Sequence, residues 1–229
     1  MNWAGAECIK LQNKGWYKMN IVLLGDSITD MERVRKAEMT FMPWSYGCGY
    51  PIFVAGELAK RNPEKYRVYN RGIAGNRIVD LYARIKSDVW NLQPDILTIL
   101  IGVNDIWHEI MSANGVEIDR WERVYRMLIE DTLKVLPNTK IILLEPFVLH
   151  GTATDEEYNK FLQIKEYAKV LKRIAEDYNL YFLSLQDAFD NAAKNFKPED
   201  YLYDGVHPML AGSKLIADKW LDLFDKIEK

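Results

Sequence analysis

The sequence predicts a three-layer α/β/α sandwich built on a central parallel five-stranded sheet. Two observations lead to this fold class. Short apolar runs rich in Ile, Val, Leu and Tyr recur at wide intervals along the 229 residues, and segments with helical periodicity lie between them. Strands and helices that alternate in this way require right-handed crossovers, which cover both faces of a parallel sheet with helices.

Each apolar run is predicted to be a buried strand. The predicted strands are residues 21–24, 66–69, 96–101, 141–144 and 180–183. Helices are predicted over residues 51–61, 78–90, 120–136 and 211–227, and one more follows Thr154. Thr154 and Glu157 have the spacing of a capping box, which predicts the start of that helix. The long segments after the first and fourth strands are expected to overhang the carboxyl ends of the sheet.

Length and composition predict one globular domain over residues 1–229, with residues 1–18 as an N-terminal arm of unknown role. Lys and Arg number 30 against 33 Asp and Glu, so the basic surface that binds a phosphate backbone is missing and no nucleic-acid partner is expected. Because no apolar run approaches the length of a transmembrane helix, no membrane partner is expected either.

The cysteine content predicts a reducing environment. Cys8 and Cys48 are the two cysteines, which is too few for a disulfide framework, and neither has metal-ligand spacing. The N-terminal stretch lacks the continuous apolar core of a secretory signal. We therefore expect reduced thiols and a cytoplasmic location.

Polar sets follow the ends of the predicted strands, where parallel α/β sheets bind their ligands. Residues 25–30 place Ser27 on a strand-to-helix turn, which would expose its hydroxyl as a nucleophile. Residues 70–76 contain glycines that let the backbone approach a ligand. In residues 102–105, the Asn104 amide can donate to an oxyanion. Taken alone, each of these sets is also typical of a turn or a helix cap.

The last polar set, residues 204–208, supplies the partners that a serine nucleophile needs. His207 can accept the proton of Ser27, and Asp204 can orient the imidazole and stabilise its charged form. His108 and His150 are the other two histidines. We expect those two in a pocket wall or on the surface.

With these four sets in order, the sequence resembles the SGNH hydrolases, the GDSL-type esterases and lipases. The family's blocks are matched by residues 25–27, by Gly75 within residues 72–76, by residues 102–105 and by residues 204–208. The resemblance covers residues 21–220 and implies a flavodoxin-like SGNH hydrolase fold. It implies Ser27 as nucleophile, His207 as general base and Asp204 as its orienting acid. It also implies an oxyanion hole made by the Ser27 and Gly75 N–H groups and the Asn104 side chain.

Within that family, residues 25–30, 70–76 and 101–107 look like the intracellular acetylxylan esterases. Those enzymes remove acetyl groups from xylo-oligosaccharides, and some assemble into homo-oligomers. The resemblance therefore implies a serine esterase that hydrolyses acetylated saccharides through an acyl-serine intermediate. It implies no metal or organic cofactor, and it makes a homo-oligomer of unspecified size an expected partner.

Candidate substrate-binding residues lie in the loops around the predicted crevice. Trp44, Trp107 and Tyr203 could stack on sugar rings, although packing of the loops onto the sheet explains them equally well. Asp26 completes the candidate set. Trp107 follows closely after Asn104, so we expect its ring to close the acyl side of the pocket and to limit the acyl group to acetyl.

Two other functions fit the same residues. A lysophospholipase or thioesterase would use the same chemistry on longer acyl chains, and pocket depth, which the sequence does not give, would distinguish it. A non-enzymatic module that binds a small molecule could share the fold, because one fold hosts many functions. The combination of Ser27, Asp204 and His207 favours the enzyme.

Overall fold

The computed structural model describes residues 18–228, so the predicted N-terminal arm and Cys8 lie outside the described residues, apart from residue 18. One parallel sheet forms the centre of the described chain. Its strands are β1 (Met19–Gly25), β2 (Tyr66–Gly72), β3 (Ile96–Leu100), β4 (Lys140–Leu144) and β5 (Tyr181–Leu183). Their order across the sheet is β2-β1-β3-β4-β5, with every neighbouring pair parallel. The predicted five-stranded parallel sheet is confirmed.

Helices connect the strands and cover the sheet. They are α1 (Ser27–Asp30), α2 (Tyr50–Arg61), α3 (Ile78–Asp88), α4 (Val103–Ser112), α5 (Ile118–Val135), α6 (Tyr158–Phe161), α7 (Ile164–Asp177), α8 (Gln186–Ala193), α9 (Pro198–Tyr201) and α10 (Leu210–Ile227). Helix α2 packs against α10, whereas α3 packs against α5 and α5 against α7. Because the chain steps outward from β1 to β2 and then returns past β1 to β3, right-handed crossovers place these two groups on opposite faces. The three-layer α/β/α sandwich is confirmed.

The change of direction between β1 and β3 positions the functional segments. These strands are neighbours in the sheet although β2 lies between them in the chain. In such sheets the crossovers diverge to opposite faces at this point and leave a crevice beyond the carboxyl ends of the strands. Helix α1 follows β1 there, and α4 follows β3.

The predicted start of the helix after Thr154 is wrong. The Thr154 hydroxyl is buried and donates to the backbone oxygens of Leu149 (2.8 Å) and Gly151 (3.2 Å), so it caps no helix. A 3₁₀ turn over Asp155–Glu157 follows instead, and α6 and α7 are separate helices. The Thr154 hydroxyl is hydrogen-bonded within the preceding turn. A capping pattern in the sequence does not reveal this competing partner.

Two further differences concern element boundaries. Strand β2 continues to Gly72, beyond its predicted end at residue 69, so the polar set that begins at Asn70 starts inside the strand. Helices α4 and α8 lie in segments for which the sequence predicts no helix. Each has polar residues in its first turn, Asn104 and Asp105 in α4 and Gln186 and Asp187 in α8. Polar residues so close to a strand end are equally typical of a turn.

No helix within residues 18–228 is both long enough and apolar enough to cross a membrane. The division of the chain into a single domain over residues 1–229 stays a prediction.

A hydrogen bond in the core ties the sheet to the last helix. The Trp220 indole N–H in α10 donates to the Thr98 hydroxyl of β3 at 2.9 Å, and both residues are fully buried. A buried donor that loses its acceptor keeps its full desolvation cost.

We predict that Thr98→Val lowers the free energy of unfolding by about 1–3 kcal/mol, because the shape is kept while the Trp220 N–H loses its partner. Thr40→Val is the matched control, since the Thr40 hydroxyl donates to Ala37 O at the surface and its loss should cost under about 0.5 kcal/mol. Urea denaturation monitored by tryptophan fluorescence measures both values. Equal values for the two variants would contradict the prediction.

Candidate active site

Ser27 is the first residue of α1 and lies directly beyond the carboxyl end of β1. The turn is capped by Asp26, whose carboxylate accepts the Ile28 N–H at 2.9 Å. Gly25 makes the turn possible, because a Cβ there would lie 2.3 Å from Thr29 Oγ1 and 2.7 Å from Leu100 O. The sequence therefore bends sharply from strand to helix and presents the Ser27 hydroxyl, which is partly exposed, at the crevice.

Asp204 and His207 lie on the loop between α9 and α10. A short antiparallel bridge between Leu202 and Pro208 closes this loop, and the Tyr203 N–H donates to His207 O at 3.1 Å. Asp204 Oδ1 accepts two backbone N–H groups, from Val206 at 2.9 Å and from His207 at 2.8 Å. The loop thus holds the carboxylate and the imidazole in one rigid turn.

The structure brings Ser27, His207 and Asp204 into one chain of hydrogen bonds. His207 Nδ1 lies 2.6 Å from Asp204 Oδ2, and His207 Nε2 lies 2.8 Å from Ser27 Oγ. An ionised carboxylate only accepts hydrogen bonds, so Nδ1 carries the ring hydrogen and Nε2 is left to accept from the Ser27 hydroxyl. This tautomer is the one that a general base next to a serine requires.

The charge of Asp204 follows from its hydrogen bonds. Burial by itself raises the pKa of this carboxyl, but the imidazole of His207 and the backbone N–H groups of His207 and Val206 outweigh burial, so the net pKa lies below its ordinary value. Asp204 is therefore an anion in the neutral range, where it orients the imidazole and can stabilise its protonated form.

A second loop supports the one that carries His207. The Leu149 N–H donates to Gly205 O at 2.9 Å, and the Ala153 N–H donates to Asp204 O at 3.0 Å. Gly205 has a φ of +95°, and a Cβ there would lie 2.4 Å from Thr154 Oγ1. The positive φ and the close contact both require glycine at this position.

The three expected oxyanion donors lie at separate strand ends. The N–H groups of Ser27 and Gly75 donate no hydrogen bond to another residue in the part of the chain that the structure describes. Asn104 is buried in the first turn of α4, and its amide donates to Asn76 O at 3.1 Å. This contact links Asn104 to the loop that carries Gly75, which has a φ of +79°.

Two aromatic rings stand beside the imidazole of His207. The Tyr203 ring stacks on it with centroids 5.6 Å apart and planes inclined by 18°. The Trp107 ring lies 5.9 Å away and packs edge-on against buried Phe161. Tyr203 is half exposed, so part of its surface is free for a ligand. Trp44 is also exposed, on the Pro43–Tyr46 turn, and none of the described aromatic rings stacks on it.

Asp26 is not accessible to a substrate, so the expectation that it contacts one is wrong for this structure. The residue is 0% exposed, since its side chain points back beneath α1 to cap it. Burial raises its pKa to about 7 and outweighs the Ile28 N–H and the electrostatic effects of His207 and Arg84, which lower it. The carboxyl supports the turn from below.

The other histidines lie apart from this chain of hydrogen bonds. His150 stacks on Tyr158 with centroids 3.6 Å apart and pairs with Asp155 at 2.8 Å, on an exposed surface. It therefore has an acid partner, although at a spacing different from that of Asp204 and His207. His108 lies partly exposed on α4.

A cavity of about 700 Å³ lies between α4, the start of α5 and α7, and no residue of the Ser27–His207–Asp204 chain lines it. Ile106 and Glu109 of α4 face the cavity, whereas Trp107 on the same helix contacts His207. Within residues 18–228, no group of three or more His, Cys, Asp or Glu side chains is arranged to hold a metal ion.

Several supporting side chains were not predicted. Asp30 accepts the Ala74 N–H at 3.0 Å and pairs with Arg35, and Asp105 accepts the Ile78 N–H at 3.0 Å. Both carboxylates fix the loop between β2 and α3. They follow Ser27 and Asn104 closely in the sequence, but their partners are backbone groups distant in the chain, which leave no pattern in the sequence.

Comparison with known proteins finds one family over most of the chain. The sequence pattern of the GDSL-like lipase/acylhydrolase family matches residues 23–215. The fold is also that of a protein from Parabacteroides merdae described as a GDSL-like lipase. That structure has a TM-score of 0.83 and 37% sequence identity, with 91% of this chain and 96% of that chain covered.

An acetylxylan esterase from Geobacillus stearothermophilus is 36% identical over 207 residues, which are 88% of this chain and 91% of that protein. The crystal structure of Axe2, an acetylxylan esterase from the same organism, has a TM-score of 0.79 and 34% identity, with 90% of this chain and 94% of that chain covered. Variants described as catalytic mutants of Axe2 replace a serine, an aspartate and a histidine.

We predict that Asp26→Asn becomes more stable relative to the parent as the pH rises from 4 to 8. The folded-state pKa of about 7 lies above the unfolded value of about 4, so the folded protein retains a proton that the unfolded chain has released. The contribution of this protonated group to the free energy of unfolding is complete below about pH 4 and is lost as the pH rises through about 7. Asn can cap the helix without ionising, so its contribution does not change with pH. The free energy of unfolding of the variant should therefore rise relative to that of the parent by a few kcal/mol, the free energy that corresponds to the pKa difference.

Chemical denaturation of both proteins at closely spaced pH values measures this difference. A difference that stays constant from pH 4 to 8 would show that folding does not raise the pKa of Asp26.

Proposed function

Because the chain belongs to the GDSL-like lipase/acylhydrolase family and is a carboxylic ester hydrolase, we propose that it is a serine esterase that removes acetyl groups from carbohydrates. The proposed substrates are acetylated xylo-oligosaccharides. The observation that carries the proposal is the unbroken chain of hydrogen bonds from Ser27 through His207 to Asp204. In Axe2 the aspartate and histidine replaced in the catalytic mutants are separated as Asp204 and His207 are here, which supports the same roles.

In the first step, Ser27 Oγ attacks the acyl carbonyl carbon while His207 Nε2 accepts the hydroxyl proton. The imidazolium that forms is stabilised by anionic Asp204, which is already hydrogen-bonded to Nδ1. The tetrahedral intermediate then collapses, the bond from its carbon to the sugar oxygen breaks, and His207 gives the proton to that oxygen, which leaves as a hydroxyl. The products of this step are the free sugar and an acyl ester on Ser27.

In the second step, water attacks the acyl-serine. His207 Nε2 accepts a proton from the water, a second tetrahedral intermediate forms, and the proton returns to Ser27 Oγ as the acid is released. One ester and one water are consumed, and one alcohol and one carboxylic acid are produced. All the groups proposed for the reaction are side chains or backbone N–H groups of this chain, and we propose no cofactor.

The negative oxygen of each intermediate needs donors in fixed positions. We assign this role to the Ser27 and Gly75 N–H groups and to the Asn104 amide. The assignment rests on the two N–H groups having no other acceptor in the described chain and on the Asn104 amide being held by Asn76 O.

The aromatic rings beside His207 support a small acyl group and a sugar leaving group. Trp107 is braced by Phe161 and borders the imidazole, so we assign it to the acyl side. The partly exposed Tyr203 ring offers a flat face of the kind that sugar rings stack on. Axe2 is also described as an acetyl-xylooligosaccharide esterase, and this description supports the choice of substrate. Trp44 stays a candidate for contacts with a longer saccharide.

The cytoplasmic location and the assembly into a homo-oligomer rest on the sequence and on the resemblance alone. Both stay proposals, as does the absence of nucleic-acid and membrane partners.

We predict that the purified protein hydrolyses p-nitrophenyl acetate with a kcat/KM at least about 10-fold above that for p-nitrophenyl octanoate, because each added methylene must be accommodated by the pocket. Ser27→Ala should lower kcat for the acetate by about 10³-fold or more. Steady-state kinetics measure both effects, and release of acetate from acetylated xylo-oligosaccharides tests the natural class of substrate. Equal or faster octanoate hydrolysis would indicate a lysophospholipase or thioesterase, and activity that survives Ser27→Ala would refute the nucleophile.

We predict that Trp107→Ala reduces the preference for acetate over butyrate esters about 10-fold, since it removes the proposed acyl-side wall. Tyr203→Ala is the matched control on the other ring beside His207. It should leave the acyl preference within about 2-fold but raise KM for acetylated xylo-oligosaccharides relative to p-nitrophenyl acetate. An acyl preference that is unchanged in Trp107→Ala would remove Trp107 from the acyl pocket.

A further inference from the structure

Arg84 lies on α3, outside the residues assigned to the reaction, yet its guanidinium reaches the ends of two strands and the loop that carries Gly75. Arg84 Nη2 donates to Gly25 O at 3.0 Å, and Nη1 donates to Arg71 O at 2.9 Å. Arg84 Nε donates to Asn76 Oδ1 at 2.7 Å. The side chain is only 14% exposed, and Asp88, one helical turn further on, pairs with it. The guanidinium is therefore fixed on several sides.

Asn76 connects Arg84 to Asn104. While its side-chain oxygen accepts from Arg84, its backbone oxygen accepts from the Asn104 amide at 3.1 Å. An amide group has two hydrogens in a fixed plane, so a bond from one hydrogen fixes the direction of the other. Asn76 also follows Gly75 directly in the chain.

We infer that Arg84 is a positioning residue for the oxyanion hole, acting through Asn76 on the Asn104 amide. The inference rests on the proposed function, since it assumes that Asn104 donates to the oxyanion. Arg84 touches no reacting atom. It sets the direction of a donor that acts in the transition state, and its loss should therefore lower kcat without weakening substrate binding.

A structural role for Arg84 alone would give a different result, because Arg84 also joins the ends of β1 and β2. Loss of that link would lower stability while leaving the kinetics of the folded fraction unchanged. Asn76→Ala separates the two roles. It removes the side-chain oxygen through which Arg84 holds residue 76 but keeps the backbone oxygen that accepts from Asn104. It also leaves the bonds from Arg84 to Gly25 and Arg71 in place.

The experiment measures kcat and KM of Arg84→Met, Arg84→Lys and Asn76→Ala, alone and combined with Asn104→Ala. We expect Arg84→Met and Asn76→Ala to lower kcat and kcat/KM by a common factor of about 10- to 100-fold, with KM within about 3-fold. Lys keeps the charge but not the planar fork, so Arg84→Lys should recover part of the loss. In the Asn104→Ala background, Asn76→Ala and Arg84→Met should each cost less than about 3-fold, because the donor they position is gone.

Arg126→Met is the matched control. Arg126 is a forked donor to Glu122 and Asp177 at the surface of α5, and its loss should leave kcat unchanged.

If Arg84→Met does not fold, Asn76→Ala carries the test. The inference is overturned if Asn76→Ala keeps the parental kcat, or if its loss is as large in the Asn104→Ala background as in the parent. A parental kcat in Asn104→Ala would overturn it together with the oxyanion assignment, whereas the Ser27→Ala result tests the esterase itself.

Discussion

Three strand ends meet beneath the candidate site, and at two of them, Gly25 and Gly72, helix α1 lies too close to leave room for a Cβ. Gly25, which ends β1, is paired with Gly72 of β2 and Leu100 of β3. A Cβ on Gly72 would lie 2.2 Å from the backbone nitrogen of Asp30 in α1. Helix α1 can therefore rest directly on the sheet, and this contact sets the height at which Ser27 is presented. The other contacts at the site depend on this position of Ser27.

Two carboxyl groups close to this turn have opposite electrostatic behaviour. Asp204 accepts three hydrogen bonds, which outweigh its burial and keep it ionised. Asp26 is more deeply buried and accepts one, so burial dominates and its pKa rises to about 7. The depth of burial and the number of donors around each carboxyl together decide which one carries a negative charge. This difference allows one acid to stabilise an imidazolium while the other stays largely a structural cap.

The sequence could predict those parts of the fold and the site that are recorded in local patterns. Apolar runs located the five strands to within a few residues, and the spacing of Asp204 and His207 predicted a pair that the structure brings together. The role of Asp26 was not predictable, because a motif does not show how deeply a residue is buried. Arg84 left no signal, since it binds backbone oxygens far away in the chain. Thr154 was misread because a nearby turn competed for its hydroxyl.

The hydrogen bond between Ser27 and His207 joins residues separated by 180 positions, while the bond between His207 and Asp204 is made within one loop. The two halves of the site therefore differ in the length of chain that must close before each can form. The loop can pair its acid with its imidazole as soon as it closes, but the imidazole meets the serine only when the first strand and the last loop have docked on the same sheet. Contacts of such long range are slow to form because chain entropy opposes them. We therefore expect activity to recover after the helical signal during refolding, because activity requires the sheet to be assembled from both ends of the chain.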